Sequence, residues 1–260
     1  MAAVAGLAQI EMPQKGLCAH RGASFSHPEN TLAAFQEAIR LGAHMIEFDV
    51  QMSQDSGLVI IHDKSVERIS DGNALVADLT LQQLRALDAG SWKDARFAHE
   101  KIPTLSETLA IMPRNVWLNV HIRGGVASGR AAAEMILREG RIHQTLMACD
   151  TVTAAEIKKL NSAIKICNME RMTGTAEYVD LTIRRKAEFI QLREKELKLV
   201  AEYVPRLRQN NVRINYYYAD SPAQLRELFS LGVDFPLVND LAGLMQSAAG
   251  MGITPLEPVY

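Results

Sequence analysis

Met45-Ile46-Glu47-Phe48-Asp49-Val50-Gln51-Met52-Ser53-Gln54-Asp55-Ser56-Gly57-Leu58-Val59-Ile60-Ile61-His62-Asp63 is an apolar strand pattern, a short polar turn and a second apolar strand pattern. The Asp55-Ser56-Gly57 turn is too short for a crossover helix, so the two runs form an antiparallel hairpin. Pairing Ser53 with Leu58 sets Asp49 opposite His62. Glu47 and Asp49 are two apart and project from one strand face. Two acids on one face are costly in a plain core, because unpaired buried charge is expensive. A solvated strand face is the bland alternative; the nearby histidines favour a site.

How the hairpin is counted decides the fold. Nine extended segments are legible, at 16–19, 45–50, 58–61, 117–123, 146–149, 164–169, 189–192, 212–217 and 237–239. Taking 58–61 as the hairpin return leaves eight strands, most followed by helices. The expected fold is a (β/α)8 TIM barrel with a hairpin after the second strand and an insertion, about 64–103, before the third. A doubly wound open sheet is the rival, but no glycine-rich nucleotide loop follows the first strand.

Helix signals support the alternation. Leu32, Phe35 and Ile39 recur at helical spacing after the capping residues Asn30 and Thr31, and Gly42 ends that helix. Thr80 with Gln83, Thr104 with Glu107 and Thr153 with Glu156 are capping-box patterns. A helix over 128–138 ends at Gly140. Tyr178, Leu181 and Ile183 mark another, and Leu197, Val200, Val204 and Leu207 a further one kinked at Pro205. Ser221-Pro222-Ala223-Gln224 opens the next, and Pro236 is expected at the start of the last strand. The insertion is either a lid or inert decoration.

The 260 residues suit one domain over 1–260, and 48% hydrophobic content is ample for its core. A net charge of −2 with no basic block argues against nucleic acid and against a polybasic membrane anchor. No run is long enough for a membrane span. Cys18, Cys149 and Cys167 fall in apolar runs and read as buried free thiols in a reducing compartment. Met1 to Leu7 is apolar but lacks a basic leader region. A cytoplasmic protein is therefore expected, with a processed secreted form as the alternative.

At the C-terminal strand ends of such a barrel the sequence places His20 and Arg21, Glu47 and Asp49, and His121 and Arg123, with His62 brought alongside by the hairpin. Two imidazoles, carboxylates and arginines are the groups needed to hold a divalent cation and a phosphate between a proton acceptor and a proton donor. His27, His44, His99 and His143 are read as ordinary packed or surface histidines.

His20-Arg21-Gly22, Pro28-Glu29-Asn30-Thr31, Phe35, Gly42-Ala43 before Ile46-Glu47-Phe48-Asp49-Val50, and His62-Asp63 together resemble the glycerophosphodiester phosphodiesterase family. Arg68, Leu79-Thr80, Ile102-Pro103-Thr104-Leu105 and Gly232-Val233-Asp234 with Asn239-Asp240 continue the pattern. The resemblance is dense over 16–123 and diffuse afterwards. It implies a barrel with a divalent cation, usually calcium or magnesium. By position Glu47 and Asp49 match metal ligands, His20 and His62 the acid–base pair, and Arg21 a phosphate contact. It also implies attack by the substrate's own glycerol hydroxyl, giving a cyclic phosphate that is then hydrolysed.

This chain departs from the family where glutamate, a spacer and lysine are usual: it has His121-Ile122-Arg123. Arginine keeps the charge and offers a planar fork for a phosphate. His121 exchanges an anionic oxygen ligand for a neutral nitrogen, which suits manganese, cobalt or zinc better than magnesium or calcium. Glu170, Gln191, Arg193 and the Tyr216-Tyr217-Tyr218 run are candidates for contacting the substrate. Tyr216 and Tyr218 are expected on one strand face and Tyr217 on the other. The expected activity is hydrolysis of a small phosphodiester. The alternatives are a lyase that stops at the cyclic phosphate and a non-catalytic phosphoester-binding protein. Oligomeric state is not legible.

Overall fold

The structure is a computed structural model that describes residues 10–170, 175–193 and 197–260. The 1–7 segment weighed above as a leader lies outside the described residues. The elements in order are β1 (Cys18–His20), α1 (Leu32–Arg40), β2 (Met45–Met52), β3 (Leu58–Ile60), α2 (Leu81–Ala86), α3 (Leu105–Ile111), β4 (Trp117–Ile122), α4 (Gly125–Arg138), β5 (Thr145–Cys149), α5 (Thr151–Leu160), β6 (Lys165–Asn168), α6 (Thr175–Arg184), β7 (Phe189–Leu192), α7 (Leu197–Gln209), β8 (Arg213–Ala219), α8 (Pro222–Leu231), β9 (Phe235–Val238) and α9 (Leu241–Ala249).

The sheet runs β1-β9-β8-β7-β6-β5-β4-β2-β3, and a β1–β2 pairing closes it. Only β3 is antiparallel, so eight parallel strands form a closed (β/α)8 barrel. β1 reaches no further along β2 than Glu47. Beyond that point β2 has a free edge, and β3 takes it over Val50–Met52.

Alternation sorts the side chains. Outward residues such as Ile46, Phe48, Val120, Met147 and Ile190 pack under the helices in the main core. The lower barrel interior is apolar, built on Met45, Trp117, Phe189, Phe235 and Leu237. The polar interior residues come higher, towards the C-terminal ends of the strands.

Several helix starts match the sequence signals. Thr31 accepts from Ala34 N–H, both Thr80–Gln83 and Thr104–Glu107 close as capping boxes, and Ser221 caps α8 with Pro222 in its first turn. Four expectations are corrected. The hairpin is one residue tighter, with Met52 opposite Leu58 and Val50 opposite Ile60. Ser53 N–H donates to Gly57 O at 2.8 Å while Ser53 Oγ accepts Gly57 N–H at 2.8 Å. The loop is therefore three residues, ending in left-handed Ser56, the usual form at that length. Asp49 thus faces Ile61, whose N–H it receives at 2.9 Å, and not His62.

Second, α5 is capped by Asp150, which accepts from Thr153 N–H; the Thr153–Glu156 pair sits inside the helix. Third, β9 starts at Phe235, so Pro236 is its second residue and not its first. Fourth, β8 pairs Tyr216 with Pro236 and then Ala219 with Val238, setting three residues of one strand against two of the other. Pro236 has no N–H to give, and a bulge is where such a residue is tolerated. The regular alternation of Tyr216, Tyr217 and Tyr218 is lost there. Finally, α9 was not anticipated, although Leu241, Leu244, Met245 and Ala248 follow its buried face.

The insertion has a small core of its own, Val66, Ile69, Val76, Leu84, Ala89 and Ile102, seated on Val59 and Ile61. Lys93 Nζ donates to Ser24 O at 3.0 Å and Arg96 to Ser26 O at 3.2 Å, tying it to the loop after β1. No helix among the described residues is long and apolar enough to cross a membrane, and the three cysteines are buried free thiols.

Candidate active site

β1 ends on His20, and the chain then turns through two left-handed residues, Arg21 (φ 58°) and Gly22 (φ 79°). A non-glycine residue in that region costs conformational energy and persists where its surroundings over-determine it. Here the turn aims Arg21 N–H at Glu47 Oε2, 3.0 Å away. Gly22 passes so close to α1 that a Cβ would lie 2.8 Å from the Ala34 backbone.

In-register pairing of β2 with β4 puts Glu47 beside Asn119 and Asp49 beside His121. Asp49 has no solvent exposure. Its Oδ2 accepts from Asn30 Nδ2 at 2.9 Å and lies 3.6 Å from Arg21 Nε. Its Oδ1 is 3.1 Å from His121 Nδ1, which is 3.7 Å from Glu47 Oε1. The 3.1 Å approach lacks hydrogen-bond alignment, so Asp49 Oδ1 is a buried oxygen without a donor. One potential ligand atom each of Glu47, Asp49 and His121 lies within 4.8 Å of the others. Two carboxylates and an imidazole around an orphaned oxygen fit a divalent cation.

The electrostatics follow from this crowding. Burial alone would raise Asp49, but the adjoining His121 imidazole, with the charges of His62 and Arg21, outweighs it and holds the acid below the usual carboxylate range. Burial alone would lower His121; the Asp49 and Glu47 carboxylates reverse that and raise it to about 9. Its side chain keeps 19% exposure.

His20 and His62 are each held by one ring nitrogen. His20 Nδ1 is 2.7 Å from Asn239 Oδ1, and its Nε2 is 4.0 Å from Glu47 Oε2. His62 Nδ1 is 2.6 Å from Asp63 Oδ1. Although the tighter hairpin register moves His62 off Asp49's partner position, β3 ends at Ile60 and the chain bends back. Gln51 Nε2 lies 3.0, 3.2 and 2.6 Å from the carbonyl oxygens of Ile61, His62 and Asp63. Arg123 Nε reaches His62 O at 3.3 Å.

A chain of ion pairs then circles the cleft. Asp63 Oδ2 meets Arg68 Nε at 2.5 Å, Arg68 grips Glu29 at 2.6 and 3.0 Å, and Glu29 Oε1 meets Arg21 Nη1 at 2.8 Å. The insertion thus contributes Arg68 to the site's frame.

All seven residues singled out from the sequence, His20, Arg21, Glu47, Asp49, His62, His121 and Arg123, line one cleft of about 190 Å³. Gln191, Arg193 and Tyr217 join them. Glu170 does not; it accepts Thr151 N–H at 3.1 Å, at the start of α5. The supporting parts played by Asn30, Gln51, Asp63 and Asn239 were not foreseen. Asn30, Asp63 and Asn239 at least stood inside the quoted Pro28–Thr31, His62-Asp63 and Asn239-Asp240 stretches.

A family model described as "Glycerophosphoryl diester phosphodiesterase family" matches residues 20–241. A glycerophosphodiester phosphodiesterase from Caldanaerobacter subterraneus subsp. tengcongensis is 30% identical over 230 residues, which is 85% of this chain and 93% of that protein. The solved glycerophosphodiester phosphodiesterase from Agrobacterium tumefaciens superposes with a TM-score of 0.77 at 24% identity, covering 88% of this chain and 98% of that one. An Oleispira antarctica phosphodiesterase, solved with the product sn-glycerol-3-phosphate, gives 0.79 at 22% identity, with 92% and 97% covered. At these identities the solved structures speak to the fold.

Proposed function

The chain belongs to the glycerophosphoryl diester phosphodiesterase family, and we propose that it hydrolyses glycerophosphodiesters at the barrel mouth with His20 and His62 as the proton-transfer pair. The observation that carries this is the convergence of two histidines, each fixed through Nδ1, on a cleft that also holds the Glu47–Asp49–His121 cluster. With Nδ1 engaged, each ring offers Nε2 to a substrate.

His62, backed by the Asp63 carboxylate, is the acceptor that takes the proton of the attacking glycerol hydroxyl. His20, with Nε2 facing Glu47, is the donor that protonates the departing oxygen. The roles reverse when water opens the cyclic phosphate. Arg21 and Arg123 attract the phosphoryl oxygens, and Arg21 is pinned for that task by Glu29. Glu47, Asp49 and His121 would hold a divalent cation, which when bound supplies positive charge against the oxygens of the transition state.

A second reading of the metal centre rests on the high affinity of His121 for its proton. There His121 stays an imidazolium, and Glu47 and Asp49 alone hold magnesium or calcium with waters. Loss of turnover on chelation, with add-back of magnesium, calcium, manganese, cobalt or zinc, discriminates the two. Release of glycerol 3-phosphate from glycerophosphocholine tests the activity. Accumulation of the cyclic phosphate as end product would point to a lyase. Ligand binding without turnover under any metal would point to a binding protein.

A further inference from the structure

Gln51 follows Glu47 and Asp49 on the inward face of β2, two positions beyond Asp49. It is buried, yet it does not line the catalytic cleft. Its side chain faces backbone instead. The ladder between β2 and β3 stops at Ile60. The carbonyl oxygens of the next three residues, Ile61, His62 and Asp63, turn towards Gln51 Nε2 at 3.0, 3.2 and 2.6 Å. Three oxygens around one point repel one another unless a donor stands between them. An amide oxygen there would add a fourth, so it is the NH2 group that faces them. With two hydrogens for three acceptors, one hydrogen is shared.

The three carbonyls belong to the arc that carries the proton acceptor. His62 is that acceptor, and Asp63 Oδ1 holds its Nδ1 at 2.6 Å. One buried amide therefore fixes the backbone of the base and of the carboxylate that orients it. The other holds on this arc are less independent. Arg123 Nε reaches His62 O at 3.3 Å, but it lines the cleft and is assigned to the phosphate. Arg68 holds only the Asp63 side chain and is itself 45% exposed. We propose that Gln51 is a positioning residue for the reaction, setting the place of His62 Nε2 through the backbone of residues 61–63 without touching the substrate. This deepens the hydrolase reading above and rests on it. Misplacing a catalytic group by about 1 Å costs about a hundredfold in rate, so a side chain outside the cleft can matter this much.

Gln51→Met keeps the length of the side chain and removes its donors. It should lower kcat by about ten- to a hundredfold while KM changes less than about threefold. The same substitution in the His62→Ala enzyme separates positioning from packing. With no imidazole left to place, it should change the residual kcat by less than about twofold. An equal fractional loss in both backgrounds would overturn the proposal. Gln51→Glu, nearly the same shape with an oxygen where the donor stood, repeats the comparison if the Met variant folds poorly. A third readout needs no turnover: in the substrate-free full chain, the NMR signals of the His62 imidazole should move in Gln51→Glu while those of His143 stay. An unmoved His62 would also overturn the proposal. Failure of the unmodified protein to hydrolyse glycerophosphocholine with any divalent cation would overturn the hydrolase reading, and the spectrum would still decide whether Gln51 places His62.

Discussion

His121 stands in register across from Asp49, its Nδ1 3.1 Å from Asp49 Oδ1 and 3.7 Å from Glu47 Oε1. Two carboxylates therefore share one imidazole, and any cation entering the cluster competes with the proton that imidazole holds. Raised to about 9, His121 is protonated at neutral pH in the metal-free chain. If the cation takes His121 as a ligand, that proton must leave. Calorimetry of manganese binding at pH 7, in buffers of unlike ionisation enthalpy, should report close to one proton released per ion. Between pH 8 and 6 the apparent affinity should fall about tenfold per unit. Binding without proton release would leave His121 outside the coordination sphere.

Replacing His121 by Glu removes the nitrogen and adds a third carboxylate. Hard oxygen donors suit magnesium and calcium, so the concentration of magnesium giving half-maximal activity should fall by about tenfold or more relative to that of manganese. The same metal order in variant and parent would sink the ligand role of His121.

His20→Ala and His62→Ala should each cost about 10²–10⁴ in kcat, the range for losing a general acid or base. Arg68→Met is the more searching change. Among the described residues Arg68 bonds to Asp63 and Glu29, so it acts by steadying His62 through Asp63 and Arg21 through Glu29. It should lower kcat by about ten- to a hundredfold and move the limb of the pH–rate profile that reports His62. A lowered kcat with an unmoved profile would argue for a merely structural role.

The sequence made the strands, the insertion and several caps legible because each has a local cause. Strand runs are apolar over a few residues, and Thr80 and Thr104 carry their partners three positions on. What escaped depends on choices between near-equal local options. Ser53 can close the turn against Gly57 or Leu58, and here both its N–H and its hydroxyl bond to Gly57. Asp150 and Thr153 are both plausible caps, and Asp150 wins by lying one turn earlier. The tyrosine run looked like a regular strand because the irregularity shows only in its pairing with β9, where Tyr216 stands beside Pro236, twenty residues away, and Ala219 beside Val238. The same limit hid Asn239 as the partner of His20: they are 219 residues apart, and only barrel closure through β1 and β9 brings them together.

His44 gives a stability prediction that is independent of the site. The ring is buried, with Nδ1 accepting Leu17 N–H at 3.2 Å and Nε2 2.9 Å from Thr254 O. One nitrogen must accept and the other donate, so the neutral tautomer is the one that fits. Burial pushes the group below its ordinary value of 6.5, outweighing the opposite pull of the Thr254 carbonyl. A histidine whose affinity for protons is lower folded than unfolded binds more protons in the unfolded chain. Its contribution is complete above about 6.5 and is lost as the pH falls below that value. Because Thr254 lies beside the segment whose Leu256 N–H bonds to Gly42 O, loosening should begin at the C-terminal tail. Urea midpoints measured from pH 7.5 to 5 should fall for the parent, while His44→Asn starts lower and gives a flatter curve. The protection factor of Leu256 N–H, its exchange rate corrected for the intrinsic pH dependence, should fall over the same interval in the parent alone. Parallel curves for the two proteins would show that His44 is not the group responsible.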